Sequence, residues 1–210
     1  MPTLIALALA ISLAFATQAA AVQWSLGVKG GVNFADFSGD INLDETSTRT
    51  GFMGGVFAQA ELTNEVALRL EALSVAKGTD FTQFILSTPV EGTFEIDYVE
   101  FPLLFVLRVP PGPKTASFNV FLGPTFGFNT SSNVDAGTLS FDIDDAVETF
   151  DFGMTFGVGF EYSLTALSIL FDARYSFGVT NVVEDMTDGN SIEVSNRGIG
   201  VMAGVAFPLR

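Results

Sequence analysis

The chain of 210 residues contains no cysteine and no histidine. Without cysteine, disulfide frameworks and thiolate metal sites are excluded. Without either residue, the usual general base and the usual activators of a nucleophile are missing. We therefore predict that the protein is not an enzyme and carries no cofactor. A Ser-Lys pair or a pair of carboxylates is the catalytic alternative that the composition leaves open.

Basic residues are scarce: 9 Lys and Arg stand against 24 Asp and Glu, giving a net charge of -15. A nucleic-acid partner would need a basic surface, so this balance predicts no nucleic-acid binding. Long hydrophobic runs are also missing, because no internal stretch reaches the roughly 18 apolar residues of a spanning helix. If the protein lies in a membrane, it crosses with strands.

The N-terminus has an uncharged apolar run from Leu4 to Phe15, followed by an Ala-x-Ala site at Ala19 to Ala21. This pattern is typical of a secretory signal peptide, although no Lys or Arg precedes the run. We predict a signal peptide over 1–21 and one domain over 22–210. The alternative is an N-terminal membrane anchor, for which the run is short.

Phenylalanine and glycine are abundant, with 22 and 21 residues. Between Phe150 and Tyr162, large apolar residues take every second position. Gly is the most frequent residue at the positions between them, with Asp, Thr and Glu at the others. Strict alternation predicts a strand. A glycine-rich second face suits the narrow interior of a closed barrel, with the apolar face towards lipid. The stretch is typical of a transmembrane β-strand.

The same pattern recurs along the chain and predicts an all-β, eight-stranded antiparallel up-and-down transmembrane β-barrel. Four long connections (36–49, 77–91, the segment before Thr149, and 180–196) alternate with short turns at Thr63-Asn64, Pro110–Lys114 and Ser163-Leu164. Strand four changes phase, so we expect a bulge near Tyr98. Short turns are periplasmic in such barrels, which predicts periplasmic termini and an aromatic girdle of Trp24, Tyr162 and Phe207.

Ionisable residues occupy many inward-facing positions of the predicted strands. We interpret them as a structural network of paired charges, because eight strands leave room only for side chains and buried charges need partners. An ion path is the alternative, but selective pores favour rings of one sign. The inward set is Lys29, Glu61, Arg69, Glu71, Glu100, Arg108, Asp151, Glu161, Asp172 and Arg174.

Several motifs resemble the PorT-like outer-membrane β-barrel family. They are Tyr98–Leu104, Phe121–Pro124, Asp151–Gly153 with Gly157–Tyr162, Asp172–Asn181, and Asn196-Arg197. The resemblance covers essentially the whole mature chain. It implies an eight-stranded barrel in the bacterial outer membrane, and the eponymous branch is associated with protein secretion. It also implies the barrel-assembly machinery as a partner, although the C-terminal Pro208 and Arg210 depart from the usual assembly signal.

More than half of the acidic residues fall in the four long connections. We interpret these segments as solvated acidic loops. The alternative is a cation site, with Asp142, Asp144, Asp145, Asp185 and Asp188 as candidate ligands, although neither of their two clusters completes a calcium-loop pattern. We expect outer-membrane lipids as partners, and divalent cations or a protein partner as candidate ligands of the loops. The predicted role is structural, adhesive or accessory to secretion. The alternatives are a small ion channel and a soluble, lipocalin-like binder of an apolar ligand.

Overall fold

A computed structural model describes residues 22–39, 45–85, 88–109, 115–136, 139–142, 149–179 and 194–209. The predicted signal peptide over 1–21 and the turn at 110–114 lie outside these ranges. The strands are β1 (Gln23–Gly39), β2 (Glu45–Glu61), β3 (Val66–Ile85), β4 (Thr88–Val109), β5 (Ala116–Ala136), β6 (Leu139–Asp142), β7 (Phe150–Ser163), β8 (Ser168–Gly178) and β9 (Val194–Leu209).

The strands form one antiparallel sheet that closes on itself. The order is β4-β3-β2-β1-β9-β8-β7-β5, and pairing of β4 with β5 completes the ring. The short β6 pairs only with the end of β5 among the described residues. The predicted eight-stranded barrel is therefore confirmed. Within the described ranges, no helix is long and apolar enough to cross a membrane.

The two faces of each strand follow the alternation in the sequence. In β7, the outward side chains of Phe150 and Phe156 are 42% and 51% exposed, whereas the inward Thr155 is 1% exposed. The soluble, lipocalin-like alternative required these phenylalanines in the interior, so that interpretation is wrong. Trp24, Tyr162 and Phe207 are all exposed near the end of the barrel that carries the short turns.

Two short turns are closed by main-chain hydrogen bonds. In the turn between β2 and β3, the N–H groups of Leu62 and Thr63 donate to the carbonyl of Val66 at 2.9 and 3.0 Å. In the turn between β7 and β8, the N–H of Leu164 donates to Leu167 at 2.7 Å. We call the end of the barrel that carries these turns the short-turn end, and we call the opposite end the long-connection end.

Strands reach further into the long connections than the sequence predicts. The segment 77–91, expected as a loop, is instead a hairpin in which β3 continues to Ile85 and pairs with β4 from Thr88 onward. Arg49, also expected in a loop, lies in β2 opposite Ala35. The sequence of these segments lacks the regular apolar alternation that marks a strand within lipid.

The irregularity near Tyr98 lies on the neighbouring strand. Asp97 pairs with Ser131 and Tyr98 pairs with Asn129, so the extra residue is Thr130 of β5. Strand β4 itself keeps one phase, since Ile96, Tyr98 and Glu100 are all buried at 3%, 1% and 4% exposure. The predicted bulge was therefore assigned to the wrong strand. Large side chains simply turn inward at this level of β4.

Candidate functional site

The inward charges of the central barrel come from three strands spaced around the ring. Lys29 lies on β1, Arg69 and Glu71 on β3, and Asp172 and Arg174 on β8. Strands β3 and β8 are four places apart in either direction around the eight-stranded ring. An ion pair between them therefore spans the whole diameter. We call these five residues the central cluster.

The central cluster is densely bonded. The Lys29 ammonium donates to Glu71 and Asp172, both at 2.6 Å. The Arg174 guanidinium donates to the two carboxylate oxygens of Glu71 at 2.7 and 3.2 Å, and to Asp172 at 3.2 Å. Arg69 reaches Asp172 at 3.3 Å from the opposite wall. All five side chains are at most 3% exposed, so the pairs lie away from solvent.

Two aromatic rings flank the central cluster. The Phe57 ring lies 5.0 Å from the Lys29 ammonium, and the Phe121 ring lies 5.4 Å from the Arg174 guanidinium. The Phe121 ring has room because Gly157 stands opposite: a Cβ there would lie 2.5 Å from the ring and 2.4 Å from the carbonyl of Ala173. Glycine at this inward position thus lets a phenylalanine fill the cross-section beside the charges.

The central cluster carries an excess of positive charge. Its three cations face two carboxylates, and the buried Nη2 of Arg69 and Nε of Arg174 have no hydrogen-bond partner. A buried cation without a full complement of acceptors is destabilising. Each carboxylate is therefore shared by several donors, and losing one carboxylate would leave the three cations sharing the other.

A smaller group lies at the short-turn end and is joined to the central cluster. Arg108 donates to Glu61 at 2.9 and 3.0 Å and to Glu161 at 3.1 Å. We call these three residues the short-turn cluster. Gln59 connects the two groups, because it accepts from Arg69 at 2.6 Å and donates to Glu61 at 2.8 Å. The hydrogen-bonded chain thus runs from the middle of the barrel to this mouth.

At the long-connection end, Lys77 pairs with Glu100 at 2.6 Å and lies 3.8 Å from Asp151. Its ammonium also lies 4.6 Å from the Tyr98 ring. Sequence reasoning missed Lys77 because it was assigned to a loop. The alternation along β3 could have identified it, because Lys77 has the same odd-numbered parity as the inward-facing Arg69 and Glu71. We call Lys77, Glu100 and Asp151 the long-connection cluster.

Three hydroxyl groups continue the polar lining between the long-connection cluster and the central cluster. Thr155 bonds Thr125 at 2.7 Å and Ser176 at 2.8 Å. Every inward-facing ionisable residue predicted from the sequence thus lies in the barrel interior and has an oppositely charged partner there. Their structural role is a prediction that these positions do not by themselves test.

The remaining predicted sites lie elsewhere. Asp142 ends β6, and Asp144, Asp145, Asp185 and Asp188 fall outside the described residues. Within the part of the chain that the structure describes, no group of three or more acidic side chains is arranged to hold a metal ion. The described part of the interior contains paired charges and hydroxyl groups.

A closed barrel with an apolar outer face and a charged interior is the architecture of an outer-membrane protein. A family described as "Outer membrane protein beta-barrel domain" matches residues 16–184. The chain belongs to this family. Comparison of the sequence with curated proteins gives no match.

Solved structures of outer-membrane proteins share the fold. A major outer membrane protein from Thermus thermophilus superposes with a TM-score of 0.57 and 15% identity, over 90% of this chain and 100% of that one. The outer membrane protein OprG from Pseudomonas aeruginosa gives a TM-score of 0.53 and 12% identity, over 89% and 96%. At such identities the likeness concerns the fold alone.

Proposed function

We propose that the protein is a closed, non-conducting and non-enzymatic barrel that anchors an extramembrane structure in the outer membrane. The observation that carries this proposal is the central cluster, whose Arg174–Glu71 and Arg69–Asp172 pairs cross the diameter of the barrel with side chains at most 3% exposed. A path for ions would have to break several buried pairs at this level. The barrel therefore acts as a rigid support.

The structure that it supports is the part of the sheet beyond lipid. Strands β3, β4 and β5 have 20, 22 and 21 residues, whereas a tilted strand crosses a membrane in about 9–11 residues. On β4 the outward apolar side chains run from Val99 to Val109, and Asp97 is exposed above them. About half of each strand therefore extends beyond the long-connection end.

The extension continues into acidic connections, so its partners are outside the barrel. We propose a structural, adhesive or secretion-accessory role there, with a protein or divalent cations as the ligand. The resemblance to the PorT-like family supports the secretion-accessory role among these. We also propose periplasmic termini and insertion by the barrel-assembly machinery, since short turns are periplasmic in bacterial outer-membrane barrels.

Recording from planar bilayers tests whether the barrel is closed. We expect no unitary conductance from the wild-type protein. The double variant Glu71→Ala with Arg174→Ala shortens the two side chains that meet across the diameter, and we expect it to conduct. Discrete wild-type currents that Arg174→Ala abolishes would instead establish a channel.

Cysteine labelling tests which end faces the exterior, since the chain has no native cysteine to interfere. Thr130→Cys places a thiol at an exposed position near the long-connection end, and Asn64→Cys places one in a short turn. We expect a membrane-impermeant maleimide to label Thr130→Cys on intact cells, and Asn64→Cys only after permeabilisation. The reverse pattern would invert the proposed orientation.

A further inference from the structure

The lipid-facing side of β1, β2 and β3 contains an apolar groove with a cavity volume of about 480 Å³. Ala58 and Ala72 form its floor, Leu26 and Leu70 stand beside it, and Phe207 and Phe101 lie at its two ends. Register explains the shape, because Ala58 lies between Leu26 and Leu70 in one row across the strands. The volume is within the range of small-molecule sites, about 300–1,000 Å³.

One end of the groove meets a gap in the main-chain hydrogen bonds between β3 and β4. Leu70 pairs with Leu103 and Leu73 pairs with Glu100, but the two intervening pairs do not form. Pro102 lies directly opposite Glu71 at this point and has no N–H to donate. A closed barrel has no edge strand on which such a proline would be harmless. The main-chain carbonyl of Glu71 therefore lacks its ladder donor.

Glu71 lines the groove although its side chain lies inside the barrel, so we infer that its main chain faces the groove. Its side chain is 0% exposed and is bonded inside the barrel to Lys29 and Arg174, yet the residue also lines the groove on the outer face. The groove thus combines apolar side chains with the main-chain carbonyl of Glu71, which lacks its ladder donor at the β3–β4 seam. In hydrocarbon an acceptor without a donor is costly, so an occupant that supplies a donor is favoured.

We propose that this groove binds one acyl chain of a membrane lipid that carries a hydroxyl near the middle of the chain. The groove is continuous with the lipid-facing surface, and its outward side chains are all apolar, which suits a hydrocarbon chain. Glu71 lies level with Pro102, inside the apolar band from Val99 to Val109. A headgroup does not reach this depth, so the donor must lie on the chain and bond the Glu71 carbonyl.

Native mass spectrometry of the whole barrel, released from detergent micelles, tests the proposal. The probes are two phosphatidylcholines that differ only in a hydroxyl at the middle of one acyl chain. We expect the hydroxylated lipid to bind about three- to tenfold more tightly, the factor that corresponds to one net hydrogen bond.

Three variants locate the site. Ala72→Phe places a ring on the floor of the groove, so we expect neither lipid to bind in the groove. Ala203→Phe adds the same ring at an exposed outward position of β9 outside the groove, and should bind both lipids as the wild type does. Pro102→Ala supplies the missing N–H to Glu71, so it should keep binding but lose the preference for the hydroxyl.

Equal affinity of the wild type for the two lipids would overturn the proposal, as would unchanged binding in Ala72→Phe. Dimers that Ala72→Phe dissociates while lipid binding persists would show that a second copy, and not a chain, covers the groove. These outcomes do not depend on whether the barrel conducts. If Pro102→Ala fails to fold, the comparison of wild type, Ala72→Phe and Ala203→Phe still decides.

Discussion

The middle of the barrel and its short-turn mouth hold similar ion pairs in different surroundings. In the central cluster, Glu71 and Arg174 are bonded at 2.7 Å with side chains that are 0% and 2% exposed. In the short-turn cluster, Glu61 and Arg108 are bonded at 2.9 Å, yet they are 23% and 19% exposed. Bond lengths alone would rank the two pairs as equals. Because water reaches only the second pair, the cost of losing a partner should differ greatly between them.

The free energy of unfolding should differ most between variants that lose one carboxylate from the central cluster and variants that lose one from the short-turn cluster. Glu71→Gln leaves the three buried cations of the central cluster sharing the Asp172 carboxylate, and removing one partner of a buried ion pair costs about 3–5 kcal/mol. The matched change Glu61→Gln should cost at most about 1 kcal/mol, because solvent replaces the lost partner. Urea unfolding of the barrel in lipid vesicles measures both free energies. Equal losses would show that the centre is hydrated like the mouth.

A methyl group added beside the central cluster should cause the next largest loss in the free energy of unfolding. Gly157→Ala brings a Cβ to 2.4 Å from the Ala173 carbonyl and 2.5 Å from the Phe121 ring, and overpacking of this kind costs about 1–3 kcal/mol. The control is Gly30→Ala on the outer face, where the nearest atom lies 3.7 Å away. We expect the control to keep or raise the free energy of unfolding in the same measurement. A tolerated Gly157→Ala would show that the cross-section is loosely filled.

Removing a cation from the centre should cost much less than removing a carboxylate. Lys29→Met breaks two bonds of 2.6 Å, but it leaves two arginines facing two carboxylates and so balances the charge of the cluster. Replacing a buried ion by an apolar residue of similar volume is often nearly neutral. We therefore expect Lys29→Met to unfold at higher urea concentration than Glu71→Gln. The opposite order would mean that bond number, and not charge balance, governs the stability of the centre.

Much of this architecture could be predicted from the sequence, because a period of two residues defines both the strand and its faces. The inward positions of Arg69, Glu71, Asp172 and Arg174 follow directly from that parity. Lys77 has the same parity but was missed, since the segment after it loses the apolar alternation once the strand has left lipid. How far a strand extends beyond the membrane depends on its pairing with neighbouring strands. The sequence of that strand alone does not show this pairing.

The partners of each charge could not be predicted either. Pairing of Arg174 with Glu71 depends on β3 and β8 lying on opposite walls, which follows from ring closure and register. The link through Gln59 depends on rotamers inside the closed lumen. The extra residue Thr130 likewise became visible only from the register of β4 against β5. Sequence parity thus identifies which residues face inward, and the closed ring determines which of them meet.

The smallest expected difference between the central cluster and the short-turn cluster is the salt dependence of their ion pairs. A double-mutant cycle on Arg108 and Glu161, which are 19% and 10% exposed, should give a coupling of about 0.2–1 kcal/mol at low ionic strength. That coupling should decline towards 1 M salt, where the screening length falls to about 3 Å. The matching cycle on Arg174 and Glu71 should keep its coupling, because mobile ions do not enter a level with no solvent-exposed charge. A central coupling that falls with salt in parallel would place water and ions at the middle of the barrel, and it would contradict a closed lumen.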